Sequence, residues 1–347
     1  MSDPLPRYHA ILKGKQTPAY MAAKSVKLDF SASDSEETLW ELHREGLERA
    51  RAETLDEGSG TASLLDLKIE LARRVMSACR LCECRCGVDR TLGRKGECGV
   101  GEARIASQFL HHGEERPLVP SYTVFFAGCN FDCAYCQNFD ISADPSCGRS
   151  IEPSVMARKI ENLTDISRAG FHVSLIREWP EKAKNVNWVG GEPTPNLLFV
   201  LQVLKECRGH LAEIWNSNMY MSEESMRLLG GVVDLYLADF KYGNDKCAKR
   251  LSDVDDYFRV VSRNHGLAAR QADLLVRHLM LPGHLECCTF PVLEWLARNV
   301  PEASINIMDQ YRPAYRASEY PELRTGVPDK DFAGAMERAR ELGLRLL

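Results

Sequence analysis

Three cysteines crowd the stretch Gly128-Cys129-Asn130-Phe131-Asp132-Cys133-Ala134-Tyr135-Cys136-Gln137-Asn138, at spacing C-x3-C-x2-C. They follow an apolar run, Val124-Phe125-Phe126-Ala127, that reads as a buried β-strand. The spacing therefore predicts three thiols on one tight loop at a strand's carboxyl end. Soft thiolates on such a loop suit iron–sulfur or zinc. A cubic [4Fe–4S] cluster takes four cysteines, one per iron. A loop that supplies three leaves one iron open to another ligand.

Cysteine usage elsewhere bears on that choice. The chain of 347 residues has 13 cysteines and no basic, then apolar, segment of secretory type in Met1-Ser2-Asp3-Pro4-Leu5-Pro6. Clustered cysteines then read as metal ligands in a reducing cytoplasm rather than as disulfides. No run of about 18 apolar residues predicts a membrane helix. The net charge of -5 argues against non-specific nucleic-acid binding. Cys147, Cys207, Cys247, Cys287 and Cys288 are scattered, and are expected to be packing residues.

A second cluster lies upstream. Cys79, Cys82, Cys86 and Cys98 give C-x2-C-x3-C-x11-C in a Gly-rich knuckle, with Cys84 as a spare. Four thiolates there suit either a structural zinc ion or an auxiliary iron–sulfur cluster. Spacing does not choose between the two.

Residues 1–33 are mixed and Pro-containing, and read as an irregular arm. Asp34-Ser35-Glu36-Glu37 opens a helix to about Glu53, broken by Gly58-Ser59-Gly60, and a second helix follows with Leu64, Leu67, Leu71 and Val75 on one face. The segment from Ala106 to Leu118 reads as a connection. In it His111, His112, Glu114 and Glu115 are expected to be ordinary solvated loop residues.

From residue 123 the chain alternates strand and helix, which predicts a parallel α/β architecture. Strands are expected at Thr123–Ala127, Val186–Val189, Glu213–Asn216, Asp234–Ala238, Leu274–Leu279 and Ser304–Met308. Helices are expected at Ser154–Leu163, Asn196–Cys207, from Ser222, at Asp255–Gln271, at Thr289–Asn299 and at Asp329–Leu346. The stretch through Trp179-Pro180-Glu181 is assigned to no element. Successive βα units of this kind form a partial (β/α)6 barrel, in which chemical groups gather where strands end; the alternative is a doubly wound open sheet, whose G-x-G-x-x-G turn is not evident after the first strand. The units divide as an arm and helix (1–60), a helix with the cysteine knuckle (61–118), the barrel (119–315) and a terminal helix (316–347).

The strand ends carry the remaining motifs. Gly190-Gly191-Glu192-Pro193-Thr194-Pro195, Asn216-Ser217-Asn218, Asp239-Phe240-Lys241, Arg277 within Val276–Gly283, and Met308-Asp309-Gln310-Tyr311 follow successive strands. Together with the C-x3-C-x2-C loop and Gln137-Asn138, residues 79–315 resemble the radical S-adenosylmethionine (SAM) superfamily. The subgroup they resemble is the one related to the pyruvate formate-lyase activating enzyme. The resemblance implies that Cys129, Cys133 and Cys136 hold a [4Fe–4S] cluster and that SAM occupies the open iron. It implies that Gly190, Gly191 and Glu192 bind the SAM amino group. It places Asn138, Ser217, Asn218, Asp239, Lys241 and Arg277 around the rest of SAM, with Arg277 towards its carboxylate. His278, beside Arg277, is expected outside the barrel.

The implied activity is that of an oxidoreductase or lyase. An electron from a donor such as flavodoxin or ferredoxin cleaves SAM, and a 5′-deoxyadenosyl radical abstracts hydrogen. The first substrate suggested is the glycine backbone of a partner protein, as in glycyl-radical enzyme activation. The alternatives are another peptide, a small molecule, or a non-catalytic zinc scaffold.

Overall fold

The computed structural model describes residues 3–52, 58–164 and 182–347. The unassigned stretch through Glu181 lies outside them. β1 (Lys27–Leu28) and β2 (Ala62–Ser63) make a short antiparallel pair. The other strands form one eight-stranded sheet: β3 (Ile105–His111), β4 (Ser121–Phe126), β5 (Asn185–Gly190), β6 (Ala212–Ser217), β7 (Leu235–Asp239), β8 (Asp273–Leu279), β9 (Ser304–Met308) and β10 (Arg345–Leu346). β4 to β9 are parallel and lie in chain order, as successive βα units require. These six are the expected strands of a partial (β/α)6 barrel, within a residue or two of their expected bounds, in a sheet that β3 and β10 extend at its two edges and that, among the described residues, does not close.

The helices are α1 (Pro6–Leu12), α2 (Ala19–Ser25), α3 (Glu36–Ala50), α4 (Leu64–Ser77), α5 (Phe139–Ser142), α6 (Pro153–Thr164), α7 (Leu197–Glu206), α8 (Glu223–Leu229), α9 (Asp245–Ser252), α10 (Tyr257–Gln271), α11 (Phe290–Asn299) and α12 (Asp329–Glu341). Side chains alternate across the strands. Trp188, Trp215, Tyr236 and Val276 join the core beneath the helices, whereas Ala212, Ile214, Leu235, Leu237 and Leu275 join a smaller cluster on the other face.

That smaller cluster corrects the reading of the N-terminal arm. It is closed by Tyr8 and Ile11 of α1 and by Leu5, which precedes that helix, so the arm is a helical plug under the amino ends of the strands. Burying each of the aliphatic side chains contributes roughly 1.5–3 kcal/mol. Neither α1 nor α2 has a local side-chain cap. Their free amide groups are met from the sheet instead. Asp273 Oδ2 accepts from Tyr8 N at 2.8 Å, and Asp234 Oδ1 accepts from Ala19 N at 2.9 Å. Arg7 adds two donors to Asp234, at 3.0 and 3.1 Å.

Three further expectations change. Ile105–His111 is a strand, antiparallel to β4, rather than a connection. The stretch expected as one helix over Asp255–Gln271 is preceded by a separate helix, α9, because Asn244 caps a new start with its side chain on Cys247 N. The terminal helix stops at Glu341, and Gly343 at φ +68° turns the chain into β10, parallel to β9.

Candidate active site at the carboxyl ends of the strands

A cavity of about 600 Å³ opens where β4 to β9 end. Cys129, Cys133, Cys136, Asn138, Gly190, Gly191, Glu192, Ser217, Asn218, Asp239, Lys241 and Arg277 all line it. These residues lie on the cysteine loop or at or just after the last residue of a strand, apart from Arg277, which lies two residues before the end of β8, and this is why distant motifs meet there.

The cysteine loop is held by its backbone. Asp132 N and Ala134 N donate to the carbonyls of Ser252 and Leu251 at 3.1 and 2.8 Å, and Gly128 N donates to Ile141 O at 2.8 Å. Ser252 Oγ lies 2.9 Å from Cys133 Sγ, and Ser142 Oγ 3.2 Å from Cys136 Sγ. Burial pushes the Cys133 thiol up to about 12, with Lys241 working against it. The Cys129 thiol is also raised by burial, and by the neighbouring Glu192 charge.

The glycines after β5 allow a close approach. Gly190 has φ +130°, and a Cβ there would fall 2.2 Å from Phe126 N and O. A Cβ on Gly191 would fall 2.2 Å from Gly128 O. Gly191 N and Glu192 N instead donate to Phe126 O and Gly128 O at 2.9 and 3.0 Å, tying this turn to the cysteine loop. Gly190→Ala is expected to cost about 1–3 kcal/mol in backbone strain, with the clash added. Thermal unfolding of this variant beside the parent checks it, and an unchanged midpoint would contradict it.

Glu192 is buried and accepts from Ser217 Oγ at 2.6 Å, from Asn218 N at 3.0 Å and from the Thr194 hydroxyl. Burial raises its carboxyl above the ordinary range despite those donors. A cationic group brought beside it would favour the ionised form. Across the cavity, burial opposes the charge on Lys241, yet Asp239 and the Cys133 thiol hold its pKa above the ordinary value.

Arg277 faces the cavity, and its guanidinium is bound by two carboxylates. It donates to Glu115 at 2.8 and 2.6 Å and to Glu114. This corrects the expectation that Glu114 and Glu115 are solvated: Glu115 is buried and also accepts from Asn306 at 2.9 Å. Glu114 accepts from Asn187 at 2.9 Å and lies 3.2 Å from His111 Nδ1. Sequence reading missed this group. Arg277 and Asn306 are register neighbours on β8 and β9, a pairing that inward-facing positions near strand ends could have signalled. His278 lies outside the barrel as expected, bonded to Phe240 O and Thr289 Oγ1.

The knuckle stands beside the cysteine loop. Cys79, Cys82, Cys84, Cys86 and Cys98 line a common small cavity with Arg90. A pocket between knuckle and loop is bordered by Cys84, Cys98 and Cys129. The spare, Cys84, turns its thiol towards Asn130 O at 3.9 Å. Among the described residues, three or more metal-binding donors come within 4.8 Å of one another at neither cysteine cluster. They do so at Cys247, His284, Cys287 and Cys288; Cys288 is buried in the core and Cys247 packs against it, as expected of packing residues, whereas Cys287 is exposed.

Both clusters fit sulfur-rich cofactors. The loop presents three thiols spread more widely than the ligands of one ion, on the wall of a cavity that also has a buried, unpartnered donor at Gln137 Nε2. That donor set fits an iron–sulfur cluster with an exchangeable face better than a single zinc ion.

Residues 123–296 match the radical SAM superfamily. An uncharacterized protein of Methanocaldococcus jannaschii is 39% identical, covering 99% of each chain. Among solved structures, a domain of the pyruvate-formate lyase-activating enzyme from Bacteroides vulgatus is 16% identical, covering 48% of this chain and 98% of that one, with a TM-score of 0.40. SuiB of Streptococcus suis bound to the precursor peptide SuiA is 13% identical, covering 63% and 46%, also at 0.40.

Proposed function

The chain belongs to the radical SAM superfamily, and from that premise we propose that Cys129, Cys133 and Cys136 hold its [4Fe–4S] cluster while SAM fills the adjoining cavity. When bound and reduced, the cluster supplies the electron that splits SAM into methionine and a hydrogen-abstracting 5′-deoxyadenosyl radical. The protein's part is binding, orientation and exclusion of water.

Glu192 is preset for a cationic group: Ser217 and Asn218 aim its carboxylate, and burial makes a positive partner favourable. The Gly190-Gly191 turn lets a ligand's polar end lie against backbone at the foot of the cysteine loop. Asp239 and Lys241 offer paired charges on the opposite wall, suited to hydroxyl and carboxylate groups. Helix α9 and Ser142 tether the loop that carries the three cysteines on the cavity wall. The single observation that carries this reading is that loop and strand-end motifs, read separately, line one cavity. Enzymes of this superfamily need a one-electron reductant, and flavodoxin or ferredoxin is the donor class we assign.

For the substrate, the Asp239-Phe240-Lys241 and Val276–Gly283 elements support activation of a glycyl-radical enzyme. Incubating the reduced, SAM-loaded protein with pyruvate formate-lyase should give the doublet of a glycyl radical in electron paramagnetic resonance. SAM cleavage without that doublet would set the glycyl reading aside. The polar wall of Glu114, Glu115, Arg277 and Asn306 favours a second reading, a small polar substrate. On that reading, polar small molecules, and not the partner protein, accelerate 5′-deoxyadenosine formation.

A further inference from the structure

We propose that Cys247, His284, Cys287 and Cys288 form a tetrahedral zinc site that pins the loop after β7 to the loop after β8. Cys247 stands in the first turn of α9, and the other three on or beside a single π-type turn, Leu285–Thr289. Their donor atoms all lie within 4.8 Å of one another. With Zn–S of about 2.3 Å and Zn–N of about 2.0–2.1 Å, a regular tetrahedron sets S···S near about 3.8 Å and S···N near about 3.6 Å. The observed separations are 3.9 Å for Cys247–Cys287, 3.8 Å for Cys287–Cys288, and 3.3 and 3.7 Å from His284 Nδ1 to Cys287 and Cys288.

These distances discriminate. A disulfide would need about 2.05 Å. A cubane spreads its thiolates over separate irons, whereas these four donors converge on one point. Three thiolates with one imidazole is a closed, structural zinc donor set.

The surroundings are those of a supported site. His284 has its other nitrogen, Nε2, 3.8 Å from Glu322 Oε1, within ion-pair reach but beyond a direct hydrogen bond, so a carboxylate stands on the side where a ligating imidazole takes its orienting partner. Asn244 Nδ2 lies 3.3 Å from Cys247 Sγ and donates to Cys287 O at 2.7 Å, so one amide bridges both arms. The two loops meet so closely that a Cβ on Gly243 would fall 2.8 Å from the carbonyls of Cys287 and Cys288.

The site fixes the start of α9. The end of that helix carries Leu251 and Ser252, whose carbonyls hold the backbone on either side of Cys133. Zinc here is therefore a staple that sets the height of the cysteine loop over the barrel.

Elemental analysis of protein purified without chelator tests the site. The double variant Cys247→Ser, Cys287→Ser is expected to hold one zinc fewer per chain than its parent, whatever the knuckle binds. Equal zinc in the two overturns the proposal. A second measurement uses the unaltered chain and so does not depend on the variant's folding. Cys287 is exposed, yet with zinc bound it should resist alkylation by N-ethylmaleimide until a zinc chelator is added. Immediate alkylation, or protection relieved by a reductant and not by a chelator, overturns it too. Neither readout depends on SAM cleavage, so the site stands or falls apart from the proposed activity.

Discussion

Cys133→Ala is expected to abolish formation of 5′-deoxyadenosine from SAM while leaving the fold in place. The loop's path is set by main-chain bonds from Asp132 and Ala134 to α9 and from Gly191 and Glu192 to β4 and Gly128, none of which uses the sulfur. Removing the thiol leaves Ser252 Oγ with Tyr242 as partner at 2.5 Å. What is lost is one of the three proposed ligands, on a loop that has no fourth cysteine to substitute. Cys129→Ala and Cys136→Ala should behave alike, with iron content falling and far-ultraviolet circular dichroism unchanged. Retained cleavage in any of the three would contradict the assignment of that residue as a ligand.

Arg277→Met is expected to be the most destabilising single change at the site, by about 3–5 kcal/mol. It strands two carboxylates, Glu114 and Glu115, whose side chains are 6% and 3% exposed. Burial alone would raise the Glu115 carboxyl, but bonds to Arg277 and its charge outweigh that and hold it below the ordinary range. The sign of the pH dependence follows. A carboxyl with a lowered pKa in the folded state contributes stability above its unfolded pKa of about 4.3, and loses it as pH falls through the folded value. The gap between Arg277→Met and parent should thus be widest near neutral pH and narrow in acid. Denaturant midpoints across pH check this, and Glu115→Gln in the Arg277→Met background should recover part of the loss. A pH-independent gap would mean that the arginine acts through packing alone.

What could be read from sequence was what is local. The C-x3-C-x2-C loop and the Gly190-Gly191-Glu192 turn are contiguous, and the six central strands announce themselves as short apolar runs with polar ends. Elements built on remote partners were hidden. α1 and α2 lack local caps because Asp273 and Asp234 supply them from across the chain. β3 shows only partial burial along its length, so its apolar signal is weak. Glu115 and Arg277 are 162 positions apart, and Cys247 and Cys287 are 40 apart. Only the return of each strand to the same end of the sheet makes neighbours of them.

Cluster binding and SAM cleavage at this barrel end are the activity proposed for the chain. It is tested most directly by reconstituting the protein anaerobically with iron and sulfide, counting iron, and assaying 5′-deoxyadenosine after adding SAM and dithionite. Reductant-dependent product is expected, with about four irons per chain from the cysteine loop, or about eight if the knuckle holds a second cubane. A colourless, air-stable protein that binds zinc alone and yields no 5′-deoxyadenosine would contradict it.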